Sequence, residues 1–142
     1  MKLPIWLYIP RIIVAGILVQ SLYFKFTGHP EAVHIFSTLG VEPWGRLGLG
    51  MIELITGILL LIPQTVLKGL VMAIGLMAGA ILTHLFTEVG VVVQWDGESD
   101  NGTLFGMAIV ALVLSKFTFI VISKKFSVRP WRLFFDVITL NR

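Results

Sequence analysis

The segment MIELITGILLLIP, residues 51–63, carries a single charged side chain, Glu53, in an otherwise apolar or neutral run. A carboxylate in such a run lies either in a protein core or in a membrane, and burying an unpaired charge is expensive in both. If this segment is a helix, four residues lie on the same side as Glu53, within about a third of the circumference: Gly50, Thr56, Gly57 and Leu60. This stripe is predicted to face other helices, because small residues allow close approach and polar groups avoid lipid.

The composition favours a membrane protein. Of the 142 residues, 56% are apolar and 13% are charged, whereas about 25% are charged in soluble domains. The mean hydropathy is +0.93. Four stretches approach the roughly 20 residues that cross a bilayer, and they are residues 5–26, 44–62, 66–86 and 104–122. The predicted fold is therefore all-α: one domain, residues 1–142, built as a bundle of four transmembrane helices.

Cysteine count and charge exclude several function classes. The chain contains no cysteine, which excludes disulfides, thiolate metal sites and dithiol redox chemistry within it. The net charge is +3, but the basic residues flank the spans rather than forming a patch, so no nucleic-acid partner is expected. No small-residue cleavage pattern follows the first span, which is therefore predicted to be retained.

The first connection, residues 27–46, is predicted to contain a short amphipathic helix. Pro30 suits a first helical position and Gly40 a terminator. Such a helix is expected to lie on the membrane surface. His29 and His34 are interpreted as solvated loop residues, because their spacing does not give the clustered ligands of a metal site. The apolar face of the helix consists of Ala32, Ile35, Phe36 and Leu39.

The third span has two distinct faces. Gly75 and Gly79 form a GxxxG step, a surface that favours helix packing. The opposite face ends in His84, with Glu88 one turn beyond. We predict that these two form a polar cluster that opens to the outer face, with a titratable His84; an interfacial capping arrangement without function is the alternative.

The connection between the third and fourth spans, residues 89–103, is predicted to be a polar turn. Its alternating acids resemble the start of a calcium loop, but the twelfth position would be Met107 rather than the required Glu. No metal site is therefore predicted here. The fourth span carries another stripe of small residues, namely Ala108, Ala111, Ser115 and Thr118.

The tail, residues 123–142, is basic and amphipathic. Its apolar residues repeat at helical spacing and are Trp131, Phe134, Phe135 and Ile138. This segment is too short to cross a membrane and suits the cytoplasmic headgroup layer. Lys2, Lys68 and the five basic residues of the tail fall on one side of a four-span arrangement, so the positive-inside rule predicts that both termini are cytoplasmic.

The charges inside the spans are expected to form a polar cluster. Arg11 lies in the first span, about 7 Å from the level of Glu53 when depth is counted along the helices. A direct or water-bridged pair between them is therefore predicted, with His84 or Lys25 as the next candidate partner. Lys25, near the helix end, is expected to extend to the interface. The candidate cluster consists of Arg11, Lys25, Glu53, His84 and Glu88; the helix-packing glycines are Gly50, Gly57, Gly75 and Gly79.

The residue pattern resembles the DoxX family of small bacterial membrane proteins. The resemblance runs from RIIVAGILVQSLYFKF through GMIELITGILLLIP and GLMAGAILTHLF to QWDGESDNGTLFGMAIVAL. Its recurring features are an Arg early in the first span, a Lys at its end, a Glu before a Gly-Leu run and a His late in the third span. Arg11, Lys25, Glu53 and His84 occupy these positions here.

The resemblance implies a membrane redox role. The family is named from a subunit of a thiosulfate:quinone oxidoreductase, and some relatives are membrane partners of redox-defence enzymes. It implies a bacterial inner-membrane protein that is an accessory or quinone-linked component, not catalytic alone, with an oxidoreductase partner. Two alternatives stay open: a proton-coupled carrier, in which Glu53 and His84 relay protons and a homo-oligomer forms on the GxxxG face, and a non-catalytic scaffold.

Overall fold

The computed structural model describes residues 4–125, which form a bundle of long helices. The elements in chain order are a 3-10 helical turn Ile5–Leu7, α1 Tyr8–Thr27, α2 Pro30–Thr38, α3 Trp44–Leu61, α4 Val66–Phe86, β1 Gln94–Trp95, β2 Glu98–Ser99 and α5 Thr103–Lys125. The all-α prediction is confirmed. The predicted amphipathic segment from Trp131 to Ile138 lies outside the described residues.

Four of these helices are long and apolar enough to cross a membrane. They comprise Ile5–Thr27, Trp44–Leu61, Val66–Phe86 and Thr103–Lys125, within a few residues of the four predicted spans. The helices expose many large apolar side chains, including Ile12, Ile55 and Val113. This pattern suits a lipid environment, because the outer face of a membrane bundle contacts hydrocarbon rather than water. The chain is a multi-pass membrane protein.

The four long helices pack in a closed order. α1 contacts α3, α3 contacts α4, α4 contacts α5, and α5 returns to α1. One end of the bundle, where α1 begins and α5 ends, is filled by fully buried apolar side chains from all four helices, among them Leu7, Leu60, Leu70 and Ile122. The other end carries α2 and the β1–β2 hairpin. We call it the α2 end.

The stripe predicted on α3 faces the bundle interior. Gly50, Glu53, Thr56, Gly57 and Leu60 are all buried. At Gly50 an added Cβ would lie 3.2 Å from the ring of Phe26 on α1, so the helices approach closely there. A Cβ at Gly57 would meet nothing within 4 Å. The stripe on α5 is buried as well, so helical periodicity correctly identified both inward faces.

The GxxxG step on α4 faces away from the bundle. Gly75 and Gly79 are exposed, and a Cβ at either position would meet nothing within 4 Å. As a packing surface within this chain the prediction is wrong, because the inward face of α4 is instead built from Leu70, Ala73 and Met77. Packing of this step against a second copy stays a prediction.

Candidate functional site

A cavity of about 470 Å³ lies at the α2 end of the bundle. All five helices and the hairpin contribute to its wall. Much of the wall is apolar, with Leu18, Phe24, Phe36, Met77 and Leu104 among the lining side chains. Twelve of the 26 lining residues have polar or charged side chains, and they come from different elements. A concave site that combines apolar walls with hydrogen-bonding groups is typical of small-molecule binding.

Helix α2 forms part of this wall. It begins at Pro30 and ends at Thr38, as the sequence predicts. The prediction that its apolar face rests on the membrane surface is wrong, because that face lines the cavity. Periodicity defines the face of a helix but not what covers it. The residues of this face are Ala32, Ile35, Phe36 and Leu39.

The central polar group of the cavity is an ion pair between α1 and α3. The Lys25 ammonium lies 3.0 Å from Oε2 of Glu53 and donates a hydrogen bond of 3.1 Å to its Oε1. The Ser21 hydroxyl donates to Oε2 at 3.1 Å and accepts from Lys25. Glu53 is 5% exposed. A buried carboxylate with these partners is satisfied, so Lys25 turns inward rather than extending to the interface as predicted.

The C-terminal end of α1, which carries Lys25, is hydrogen-bonded to α3. The Arg46 guanidinium donates to the backbone carbonyl of Lys25, and it forms an ion pair with Glu42, at 2.6 Å. Gly28 ends α1 in the left-handed conformation, with φ of 69°, which a glycine adopts without steric cost. The position of the Lys25 side chain is therefore set by backbone contacts as well as by Glu53.

Arg11 lies at the opposite end of the bundle and does not contact Glu53. It is 1% exposed; its Nε donates to the carbonyl oxygen of Leu60 at 2.8 Å and its Nη2 to that of Leu61 at 3.1 Å. The predicted Arg11–Glu53 pair is wrong. The last carbonyls of α3 have no donor within the helix and carry the negative end of its dipole. They attract Arg11 to a level seven residues, about 10 Å, from Glu53.

His84 lines the cavity from α4. Its Nδ1 lies 2.6 Å from the carbonyl oxygen of Gly90. Since a carbonyl only accepts, Nδ1 carries the hydrogen, and a neutral ring then has Nε2 as an acceptor. The ring packs edge-on against Phe105, at 5.8 Å between centroids. Glu88 is exposed and not part of the cavity wall, so the predicted His84–Glu88 cluster does not form.

The connection between α4 and α5 contains a β-hairpin, whereas the sequence predicted only a polar turn. Gln94 pairs with Ser99 and Trp95 with Glu98. The two intervening residues, Asp96 and Gly97, have φ of 44° and 85°, which is the pattern of a type I′ turn. The Asp-Gly dipeptide was the available sequence signal. Two-residue strands are too short to show alternation, so periodicity could not reveal the pair.

Asp100 fixes the hairpin against the start of α5. Its Oδ1 accepts from the backbone nitrogens of Val93, at 2.8 Å, and Gly102, at 2.9 Å, and its Oδ2 accepts from Leu104 at 3.0 Å. This is a helix cap, in which a carboxylate satisfies N–H groups that have no partner in the helix. The hairpin thereby places Trp95 in the cavity wall, near the ring of His29, at 6.4 Å between centroids.

Glu31 also lines the cavity, and the sequence did not identify it as a candidate site residue. It is 8% exposed. Burial raises the pKa of the Glu31 carboxyl above its ordinary value, and the negative charge of Asp100 raises it further; His29 acts in the opposite direction. Glu31 lies on the first turn of a nine-residue helix, where an acid is ordinary. Nothing in the pattern indicated that α2 would face inward.

The cavity unites three of the five predicted cluster residues: Lys25, Glu53 and His84. Within residues 4–125, no group of three or more His, Asp or Glu side chains has the geometry to hold a metal ion.

Comparison with known proteins identifies the family. No curated protein and no solved structure matches the chain. The model of the DoxX-like family matches residues 9–118. This range includes all of α1 but its first residue, continues through most of α5, and contains every residue of the cavity wall. The chain therefore belongs to the DoxX-like family.

Proposed function

We propose that this protein is a membrane-embedded, quinone-linked component of a redox system and that it binds a quinone headgroup in the cavity at the α2 end. The observation that carries the proposal is the placement of Lys25, Ser21, Glu53 and His84 in an otherwise largely apolar cavity inside a membrane bundle. A quinone headgroup is a flat apolar ring with two carbonyl acceptors. It needs this combination of apolar walls and a few hydrogen-bonding groups.

The cavity fits such a group in size and chemistry. Its volume of about 470 Å³ lies within the roughly 300–1,000 Å³ of small-molecule sites. The Lys25 ammonium has three N–H donors, of which Ser21 and Glu53 take two, so one is left for a quinone carbonyl. Because Nδ1 of His84 donates to Gly90, Nε2 of the neutral ring is an acceptor, and it accepts a hydrogen bond from a hydroxyl group of the reduced quinol. Gln20 on α1 and Thr103 on α5 line the cavity and are exposed. They mark a side of the cavity that a ligand reaches from outside the bundle.

Binding fits this architecture better than transport across the membrane. The cavity lies at the α2 end, whereas at the other end Leu7, Leu60 and Ile122 are fully buried, and the buried Arg11 there is held by the last carbonyls of α3. A carrier needs a path to both sides, and packed apolar side chains oppose passage of a polar ligand or proton. Because the chain has no cysteine, it cannot relay sulfur itself. The electrons of a bound quinone would be exchanged with an oxidoreductase partner.

The proposed location is the bacterial inner membrane, with both termini in the cytoplasm and the α2 end outside. Basic residues lie at the end of the bundle opposite the α2 end, among them Lys68, Lys124 and Lys125. They support this orientation through the positive-inside rule. Reporter fusions test it. A fusion at Gln64 is expected to report the cytoplasm, and one at Gly97 the outside. A cytoplasmic signal at Gly97 would overturn the orientation.

The binding proposal is tested with the fluorescence of Trp95, which lies in the cavity wall. Decylubiquinone, titrated into the detergent-solubilised protein, is expected to quench a saturable fraction of the emission. The Trp95→Phe variant should lose that fraction, and the remaining tryptophans then supply the background. Absence of a saturable, Trp95-dependent component refutes the proposal.

Matched substitutions on α4 locate the bound group. His84→Phe removes the acceptor nitrogen but keeps an aromatic ring, so the affinity for the reduced ligand, decylubiquinol, should fall about 3- to 10-fold, as for one lost hydrogen bond. Gly79→Ala, on the outward face of the same helix, should leave the affinity unchanged. Equal affinities for the two variants would exclude His84 from the site. Extraction of the purified protein for bound quinone gives a second, independent readout.

A further inference from the structure

We propose that Glu31 is a ligand-contacting residue of the cavity and that its protonated carboxyl donates a hydrogen bond to a carbonyl oxygen of the ligand. The inference rests on the proposed quinone site and assigns to it a residue on α2. It makes ligand binding depend on pH.

The position of Glu31 carries the argument. It lines the same cavity as Lys25 and Glu53 and is 8% exposed. Within residues 4–125, no N–H or O–H group donates a hydrogen bond to its carboxyl, whereas Glu53 receives Lys25 and Ser21, and Asp100 receives three backbone amides. Glu31 is nine-tenths buried as a whole residue, but its carboxyl oxygens keep accessible surface and are therefore open to a partner. A ligand in the cavity supplies the missing partner.

The charges around Glu31 favour its neutral form. From α1 and α3, Lys25 and Glu53 neutralise each other. Asp100 accepts hydrogen bonds from backbone amides, and its negative charge opposes a second negative charge on Glu31. The remaining charged or titratable groups in the cavity wall are His29 beside α2, Glu98 in the hairpin and His84 on α4. Outside the wall, this end carries Tyr23 on α1, His34 on α2, Asp96 in the hairpin, Glu88 after α4, and Arg46, which is paired with Glu42.

Burial and Asp100 together raise the pKa of Glu31, and the opposing effect of His29 does not cancel them. The raised pKa keeps the carboxyl protonated to a higher pH than in an exposed glutamate. A protonated carboxyl donates to a carbonyl oxygen, and an ionised one repels it. Quinone binding is therefore tight below the pKa of Glu31 and weakens as the pH rises through it.

The experiment compares Glu31→Gln and Glu31→Ala with the wild type by Trp95 quenching with decylubiquinone at about pH 5 and about pH 8. A quinone has no group that titrates in this range, so any pH dependence belongs to the protein. The wild-type affinity should fall about 3- to 10-fold between the two conditions, the equivalent of one hydrogen bond. Gln donates a hydrogen bond at every pH, so Glu31→Gln should keep the low-pH affinity throughout.

The other variants separate this inference from its alternatives. Glu31→Ala should bind weakly at both pH values. His29→Gln and His84→Gln replace the two histidines of the cavity wall, and each should retain the fold-change in affinity between the two pH values. If either variant abolishes that change, Glu31 is not the group responsible. If Glu31→Gln has the wild-type pH profile, the role of Glu31 is refuted while the quinone site stands. If the wild type lacks Trp95-dependent quenching, the proposed function itself fails.

Discussion

The ion pair of Lys25 and Glu53 gives a quantitative test of how the bundle is held together. The two charged groups lie 3.0 Å apart, and their side chains are 12% and 6% exposed. With an effective dielectric constant of about 20, their attraction is about 5.5 kcal/mol. Replacing one partner, as in Lys25→Met or Glu53→Leu, leaves the other charge buried and should lower the free energy of unfolding by about 3–5 kcal/mol.

The double variant removes both charges and should cost less than the sum of the single changes. We expect a coupling energy of about 2–3 kcal/mol in the Lys25→Met, Glu53→Leu cycle. The measurement is reversible unfolding by SDS in mixed micelles, followed by far-ultraviolet circular dichroism.

The matched control is the cycle of Arg11→Met with Glu53→Leu. Arg11 binds the end of α3 rather than Glu53, so this cycle should be additive within about 0.5 kcal/mol. An additive Lys25–Glu53 cycle, or a coupling of equal size with Arg11, would refute the assignment of the ion pair.

Two further substitutions test local packing and capping. A Cβ at Gly69 would lie 2.8 Å from a backbone nitrogen of α3, so Gly69→Ala should lower the unfolding free energy by about 1–3 kcal/mol; Gly79→Ala, on the open face of α4, should not lower it. A thermal melt in detergent that ranks the two variants equally would contradict this packing. Asp100→Ala should cost about 1–2 kcal/mol through the lost cap, with faster hydrogen exchange at the amides of Val93 and Leu104; unchanged exchange there would count against the cap.

The helices and their inward faces could be predicted from the sequence because hydrophobic length and the helical period act locally. The stripe around Glu53 emerged from periodicity alone and is buried in the structure. Which basic side chain pairs with Glu53 could not be predicted in this way. Lys25 and Arg11 lie on the same helix at opposite ends, and both are long enough to reach inward. The free carbonyls at Leu60 and Leu61 and the nearby Ser21 decided between them.

The cavity wall could be predicted only in part. Lys25, Glu53 and His84 stood out as charges or titratable groups in apolar spans. Glu31 and Trp95 did not, because their location depends on how two short connections fold back over the bundle. A nine-residue helix with one apolar face is compatible with a lipid surface or a protein interior. Tertiary contacts with α1 and α3 determine which of them it meets.

The contact of Arg11 with the end of α3 bears on the order in which the chain assembles during synthesis. The two partners are 49 residues apart, so α1 enters the membrane before the carbonyls of Leu60 and Leu61 exist. An arginine at the centre of an isolated span costs about 2.5–3.5 kcal/mol on insertion scales, and one near the end of the span, as Arg11 is, costs less. Until α3 and α4 have been inserted, the guanidinium has to remain in contact with water or lipid phosphate. α1 therefore reaches its final depth only after α3 has been inserted, and the contact of Arg11 with α3 forms late in biogenesis.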